Sequence, residues 1–64
     1  MKVRELLRRL FRDGWLLDRS RESHRQLLHP TKPGTVTVSG HPNDTVHPKT
    51  LKSVLMQAGL EEES

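Results

Sequence analysis

Residues 23–38 read SHRQLLHPTKPGTVTV, and they contain two predicted strands with the turn between them. Residues 35–38 alternate threonine with valine, which is typical of a strand with one buried face. Residues 24–29 are also compatible with an extended strand, and two prolines and a glycine lie between the two strands in residues 30–34. The stretch therefore predicts an antiparallel hairpin with a loop of several residues.

Side chains of the predicted strand 24–29 divide between two faces, because successive residues of a strand point to opposite sides of the sheet. One face carries His24, Gln26 and Leu28, and the other carries Arg25, Leu27 and His29. Because His29 precedes Pro30, we expect it to pack at the end of the strand.

Two amphipathic helices flank the hairpin. Residues 2–13 have apolar side chains at spacings of three and four, which predict a helix with one apolar face; they are Val3, Leu6, Leu7, Leu10 and Phe11. Gly14 is suited to the left-handed position that ends a helix.

The second helix begins at Pro48, which is favoured at a first helical position, and stops at Gly59. Its apolar residues are Leu51, Val54, Leu55 and Ala58.

The remaining segments complete an α-β-β-β-α order. Residues 15–20 predict a first strand, residues 21–23 a turn, and residues 39–47 an irregular connection. We expect an α+β fold in which a three-stranded antiparallel sheet carries two helices on one face. Residues 1–60 form the single domain, and residues 61–64 form an acidic tail that frays.

Composition limits the class of protein. The chain has 64 residues, of which 31% are apolar, so it holds one small core. It has no cysteine, which excludes disulfides and thiolate metal sites and fits the reducing cytoplasm. No apolar run approaches the roughly 20 residues needed to cross a membrane, and the first ten residues do not resemble a secretory signal. We therefore expect a cytoplasmic protein without a membrane partner.

The charge is distributed unevenly. The chain carries a net charge of +3, but three of its acids lie in the tail, so residues 1–60 hold eleven Lys/Arg against five Asp/Glu. Such an excess favours a polyanionic partner. Arg4, Arg8 and Arg12 recur every four residues and form a row along the first helix, which Arg9 widens. This row is either a solvated face or a ridge that follows phosphates.

His24 is the candidate for proton transfer. An imidazole changes its protonation near neutral pH, so it can take a proton from a ribose hydroxyl or give one to a leaving oxygen. Arg21 and Arg25 lie close to it in sequence and are candidates to hold a phosphate. The alternative is that His24 is a bystander on a polar strand.

Other candidate residues have more ordinary interpretations. Trp15 could stack on a base, but a core position is the stronger expectation. Lys49 and Lys52 could contact phosphate or be solvated. His41 and His47 could bind a metal together with Asp44, but their spacing fits no standard site, so we predict none.

Several motifs, in order, resemble those of the HicA family of mRNA interferase toxins. The first helix carries Arg-Glu-Leu-Leu at residues 4–7, and Asp-Gly-Trp follows at 13–15. Ser-His at 23–24 precedes His-Pro at 29–30 and Lys-Pro-Gly at 32–34. Val-Thr-Val at 36–38, Thr-Leu-Lys-Ser-Val-Leu at 50–55 and Gln-Ala-Gly-Leu at 57–60 complete the resemblance.

The resemblance implies a fold like the double-stranded-RNA-binding domain. It also implies cleavage of mRNA without a metal or other cofactor, a HicB-type antitoxin as partner, and higher-order toxin–antitoxin complexes. The catalytic histidine of the family matches His24. With the candidates found above, the RNA-binding set becomes Arg21, Ser23, Arg25, Lys49 and Lys52.

Two positions depart from the family pattern. A glycine precedes Ser-His in the family, where this chain has Glu22, and a second histidine often follows, where this chain has Arg25. A glutamate reaches the backbone angles of glycine only with strain, and its charge repels phosphate. Two alternatives to the nuclease therefore stay open: a catalytically weakened or inactive RNA-binding module, and a protein-interaction module whose basic surface meets an acidic antitoxin.

Overall fold

The computed structural model describes residues 1–60, which form two helices and three strands. No helix within these residues is long and apolar enough to cross a membrane. The elements follow the predicted order: α1 (Val3–Arg12), β1 (Leu16–Arg21), β2 (His24–Leu28), β3 (Thr35–Ser39) and α2 (Pro48–Gln57). The predicted tail, residues 61–64, lies outside the described residues.

The strands form one antiparallel sheet in the order β1-β2-β3. Leu27 of β2 lies opposite Val36 of β3, and Arg25 lies opposite Val38. Residues that face each other across an antiparallel pair lie on the same face of the sheet. These four residues therefore share one face, which we call the inner face.

Both helices cover the inner face, which confirms the predicted α+β arrangement. The inner-face side chains of β2 and β3 are buried in one cluster with both helices, and within residues 1–60 no element covers the opposite face of the sheet. The buried residues of this core are Val3, Leu6, Leu7, Leu10, Trp15, Leu27, Val36, Val38, Val46, Val54, Leu55 and Ala58. Phe11 is 46% exposed, so its predicted place in the apolar stripe of α1 is wrong.

Helix α1 ends in a Schellman motif centred on Gly14. The Gly14 amide donates to the Phe11 carbonyl at 3.0 Å, and the Trp15 amide donates to the Leu10 carbonyl at 3.1 Å. Gly14 has φ +106°, which favours glycine. Because the Trp15 amide closes the helix, Trp15 cannot begin β1. The predicted strand 15–20 therefore starts one residue too early.

Helix α2 ends in the same way. The Gly59 amide donates to the Met56 carbonyl at 3.1 Å, and the Leu60 amide donates to the Leu55 carbonyl at 2.7 Å. Gly59 has φ +69°, so the predicted stop is confirmed.

Trp15 is fully buried, which confirms the expected core position and removes it as a base-stacking candidate. Its ring meets the His29 ring edge to face, with centroids 5.1 Å apart. His29 Nδ1 accepts the amide of Lys32 at 3.1 Å, while Nε2 lies 2.8 Å from the Asp13 carbonyl. Since Nδ1 accepts, Nε2 carries the hydrogen and donates it to Asp13. His29 thus ties the end of β2 to the end of α1, as expected for a packed residue.

Lys32 joins the same corner to α2. Its Nζ donates to Asp13 Oδ2 at 2.6 Å and to the Ala58 carbonyl at 3.0 Å. The hydrogen bond from Lys32 lowers the pKa of Asp13. A carboxyl whose pKa is lowered by folding stabilises the protein above its ordinary pKa, and that contribution disappears as the pH falls through the lowered value.

Backbone hydrogen bonds join the connection between β3 and α2 to the N-terminal residues. The Val3 amide donates to the Asp44 carbonyl at 2.9 Å, and the Val46 amide donates to the Met1 carbonyl at 2.8 Å. His47 caps α2, because its Nδ1 accepts the Lys49 amide at 3.1 Å. This segment is irregular but fixed.

Two of the three candidate metal ligands of this connection accept backbone amides through their side chains. His47 is the helix cap, and the Asp44 carboxylate accepts the His41 amide at 3.0 Å. No group of three or more His, Cys, Asp or Glu residues within positions 1–60 could hold a metal ion.

Gly14→Ala should strongly destabilise the protein. A Cβ at this position would lie 2.8 Å from His29 Nε2, and the φ of +106° would remain unfavourable. We expect a loss of about 2–4 kcal/mol in the free energy of unfolding, measured by urea denaturation. Gly34→Ala is the control, because Gly34 has φ +83° but open space around its Cβ position. That variant should lose only about 1 kcal/mol, and equal losses in the two variants would contradict the steric role of His29.

Candidate functional site

The candidate site lies on the outer face of the sheet, the face away from the helices. His24 is exposed there at the start of β2. Arg21 of β1 and Ser39 of β3 lie opposite it on either side. Directly opposite residues have Cβ atoms about 5 Å apart. The outer face therefore places an arginine and a hydroxyl beside the imidazole.

A second row of polar residues crosses the same face one step along the strands. Gln26 lies at its centre, with Arg19 of β1 and Thr37 of β3 on its two sides. All three side chains are exposed. The outer face thus presents two arginines of β1 next to the polar side chains of β2.

A β-bulge in β1 turns these arginines to the outer face. Leu17 pairs with Leu27, but the next pair joins Arg19 to Gln26, so Asp18 is the extra residue. Without the bulge, Arg19 and Arg21 would share the face of Leu17, which is the inner face. The bulge shifts the alternation by one residue and brings both guanidinium groups to the side of His24.

The hairpin turn before His24 contains a strained residue. Glu22 and Ser23 are the two central residues of the turn between β1 and β2, and Glu22 has φ +56°. Two-residue hairpin turns favour glycine where the first central residue needs a positive φ. Glu22 therefore occupies, at a cost, the backbone conformation that glycine takes freely.

These residues surround an open depression of about 530 Å³. Its lining consists of Arg19, Arg21, Glu22, His24 and Gln26. Within residues 1–60 the His24 imidazole forms no hydrogen bond, so both ring nitrogens are accessible to a ligand. The depression has two cations against one carboxylate, together with an imidazole and an amide, so its net positive charge suits a phosphate and the sugar or base attached to it.

Arg25 is directed away from this depression. It lies on the inner face, where its Nη1 donates to the Gly40 carbonyl at 2.8 Å. The structure therefore does not bring Arg25 and His24 together, although they are adjacent in sequence. Ser23 lies in the turn beside the site, where its carbonyl accepts the Gly40 amide at 3.0 Å.

Lys49 and Lys52 are exposed on α2, the helix that packs on the inner face. They lie on the side of the sheet opposite the depression. On α1, Arg4 donates to Asn43 Oδ1 at 2.8 Å, while Arg8 and Arg12 are exposed. The helical side is thus a second basic surface, separate from the outer face.

Sequence reasoning missed Arg19 and Gln26 as site residues. Gln26 shares the predicted face of His24, so strand alternation could have included it. Arg19 could not be assigned in this way, because regular alternation along β1 places it on the wrong face. The bulge at Asp18 has no distinct sequence signal.

A comparison with family models supports the resemblance inferred from the motifs. The model described as the HicA toxin of bacterial toxin-antitoxin matches residues 3–60. No curated protein matches the chain.

Glu22→Gly should stabilise the protein. Removing a side chain at φ +56° relieves about 1–2 kcal/mol of backbone strain, and the added freedom of the unfolded chain offsets part of it. We expect a net gain of about 0.5–1 kcal/mol in the free energy of unfolding. The control is Ser23→Gly, in the same turn but without a positive φ, which should lose about 0.5–1 kcal/mol. A loss in both variants would show that Glu22 is not strained.

Proposed function

The chain belongs to the HicA toxin family of bacterial toxin–antitoxin systems, and on this premise we propose that it is a metal-independent endoribonuclease that cleaves mRNA with a single catalytic histidine, His24. The observation that carries the proposal is the outer-face arrangement. An exposed imidazole lies opposite Arg21 and beside Arg19 in one open depression.

The proposed reaction uses the 2′-hydroxyl of the RNA as the nucleophile. His24 accepts the proton of that hydroxyl, the 2′-oxygen forms a bond to the adjacent phosphorus, and the bond from phosphorus to the 5′-oxygen breaks. The departing oxygen takes up a proton from the imidazolium or from water. The products are a 2′,3′-cyclic phosphate and a 5′-hydroxyl, and no metal or cofactor takes part.

Arg19 and Arg21 supply the charge stabilisation in this proposal. Negative charge accumulates on the phosphoryl oxygens as the new bond forms, and fixed cations near those oxygens lower the barrier. General acid–base catalysis alone contributes roughly 10²–10⁴-fold. The two guanidinium groups are therefore expected to matter for the rate as well as for binding.

A toxin of a toxin–antitoxin system has a neutralising partner, and we propose a HicB-type protein for this role. The exposed cations on both sides of the sheet fit an acidic partner. The second basic surface, with Arg8, Arg12, Lys49 and Lys52, offers a separate contact to an acidic partner in higher-order toxin–antitoxin complexes. RNA contacts by Ser23, Arg25, Lys49 and Lys52 stay predictions, and only Ser23 lies next to the depression.

One observation favours a second candidate, an RNA-binding module of the same fold with weakened or absent catalysis. Glu22 lines the depression together with His24. A carboxylate at this place repels the phosphate that the reaction must bring to the imidazole. A wild-type protein that binds RNA but leaves it intact would favour this candidate over the nuclease.

His24→Ala should lower the rate of RNA cleavage by about 10²–10⁴-fold. Purified wild type and variant are incubated with mRNA in the presence of a chelator, and the products are examined for 5′-hydroxyl ends. His41→Ala is the control, because His41 is an exposed histidine of the β3–α2 connection, outside the depression. Equal cleavage by wild type and His24→Ala would overturn the catalytic role, and dependence on an added metal ion would overturn the proposed chemistry.

A further inference from the structure

Gln26 is a neutral polar residue at the centre of the outer face. It lies two residues beyond His24 on the same strand and lines the same depression. Arg19 and Thr37 lie opposite it on the two neighbouring strands. Its side chain is exposed, and within residues 1–60 its amide forms no hydrogen bond. The amide therefore offers a donor and an acceptor to a ligand that reaches His24.

Along β2, the distance from the His24 imidazole to the Gln26 amide is close to the length of one nucleotide of an extended RNA strand. Residues i and i+2 of an antiparallel strand are about 6.8 Å apart, twice the rise per residue. A single strand that places its cleaved linkage at His24 and follows β2 brings an adjacent base or sugar to Gln26. Bases of single-stranded RNA can be splayed out, which exposes their hydrogen-bonding edges.

The chemistry of the amide suits a base rather than a phosphate. Gln26 carries no charge, so it adds little to phosphate binding beside Arg19 and Arg21. A carboxamide can donate and accept at once, and each base edge has its own pattern of donors and acceptors. Beyond Gln26 the outer face becomes apolar, with the exposed pair Leu16 and Leu28. Gln26 is thus the last side chain on the outer face of β2, counted from His24, that can hydrogen-bond a base.

We propose that Gln26 is a specificity-determining residue, which hydrogen-bonds the base next to the cleaved linkage and so sets the sequence preference at that one position. This inference rests on the proposed nuclease function. It assigns Gln26 no part in the proton transfer, which belongs to His24.

The test compares cleavage sites rather than total activity. Wild type, Gln26→Ala, Gln26→Glu and Gln57→Ala are incubated with a pool of RNAs of random sequence, and the new 5′ ends are sequenced. Gln57→Ala is the matched control, because Gln57 is an exposed glutamine on α2. Circular dichroism melting confirms that all four proteins are folded.

We expect wild type and Gln57→Ala to share a preference at one position beside the cut. Gln26→Ala should reduce that preference by about tenfold, the size of one lost bidentate contact, and should leave preferences at other positions in place. Gln26→Glu should shift the same position toward bases with an exocyclic amino donor (adenine, cytosine and guanine) and away from uracil, because a carboxylate only accepts.

Failures of the two proposals give different results. If wild type cleaves and Gln26→Ala keeps the same preference at every position, the role of Gln26 is overturned while the nuclease stands. If wild type cleaves without any base preference beside the cut, the specificity role of Gln26 is overturned as well. If wild type cleaves no RNA, the proposed function fails, and the role of Gln26 fails with it.

Discussion

The pairing of Leu27 with Val36 is the constraint on which the rest of the structure depends. Strand alternation allows only one face of β2 and β3 to enter the core, and this pair fixes which face it is. A slip by one residue would place His24 and Gln26 on the same face as Val36 and Val38, so that either the polar side chains would be buried or the valines exposed. Among the residues that the structure describes, the core covers one side of the sheet, and the side chains of His24 and Gln26 on the other side are exposed.

Much of the fold could be predicted from the sequence, because its apolar residues recur at the spacings typical of helices and strands. The stripe of α1, the threonine–valine alternation of β3 and the glycine after each helix all predicted the observed elements. The boundary of β1 was wrong because the Trp15 amide is used by the end of α1. Phe11 was misplaced because apolar spacing alone does not show where the core ends: Leu10 is fully buried, whereas its neighbour Phe11 is 46% exposed.

The candidate site was only partly predictable for a related reason. Sequence proximity grouped Arg25 with His24, but alternation separates neighbours on a strand, and Arg25 instead contacts the Gly40 carbonyl. Arg19 joins the site through a bulge that no residue pattern announces. Site residues whose place follows from regular strand alternation could therefore be predicted from the sequence. Arg19 could not, because its place depends on the bulge at Asp18.

We propose that RNA binds the outer face of the sheet, and that the basic surface of α1 makes other contacts. The most direct measurement is an NMR titration of the ¹⁵N-labelled protein with an RNA that lacks the 2′-hydroxyl at the cut and so cannot be cleaved. We expect the shift changes to concentrate at Arg19, Arg21, His24 and Gln26 and to weaken steeply with added salt. Changes concentrated at Arg8 and Arg12, with the outer face unaffected, would contradict the account.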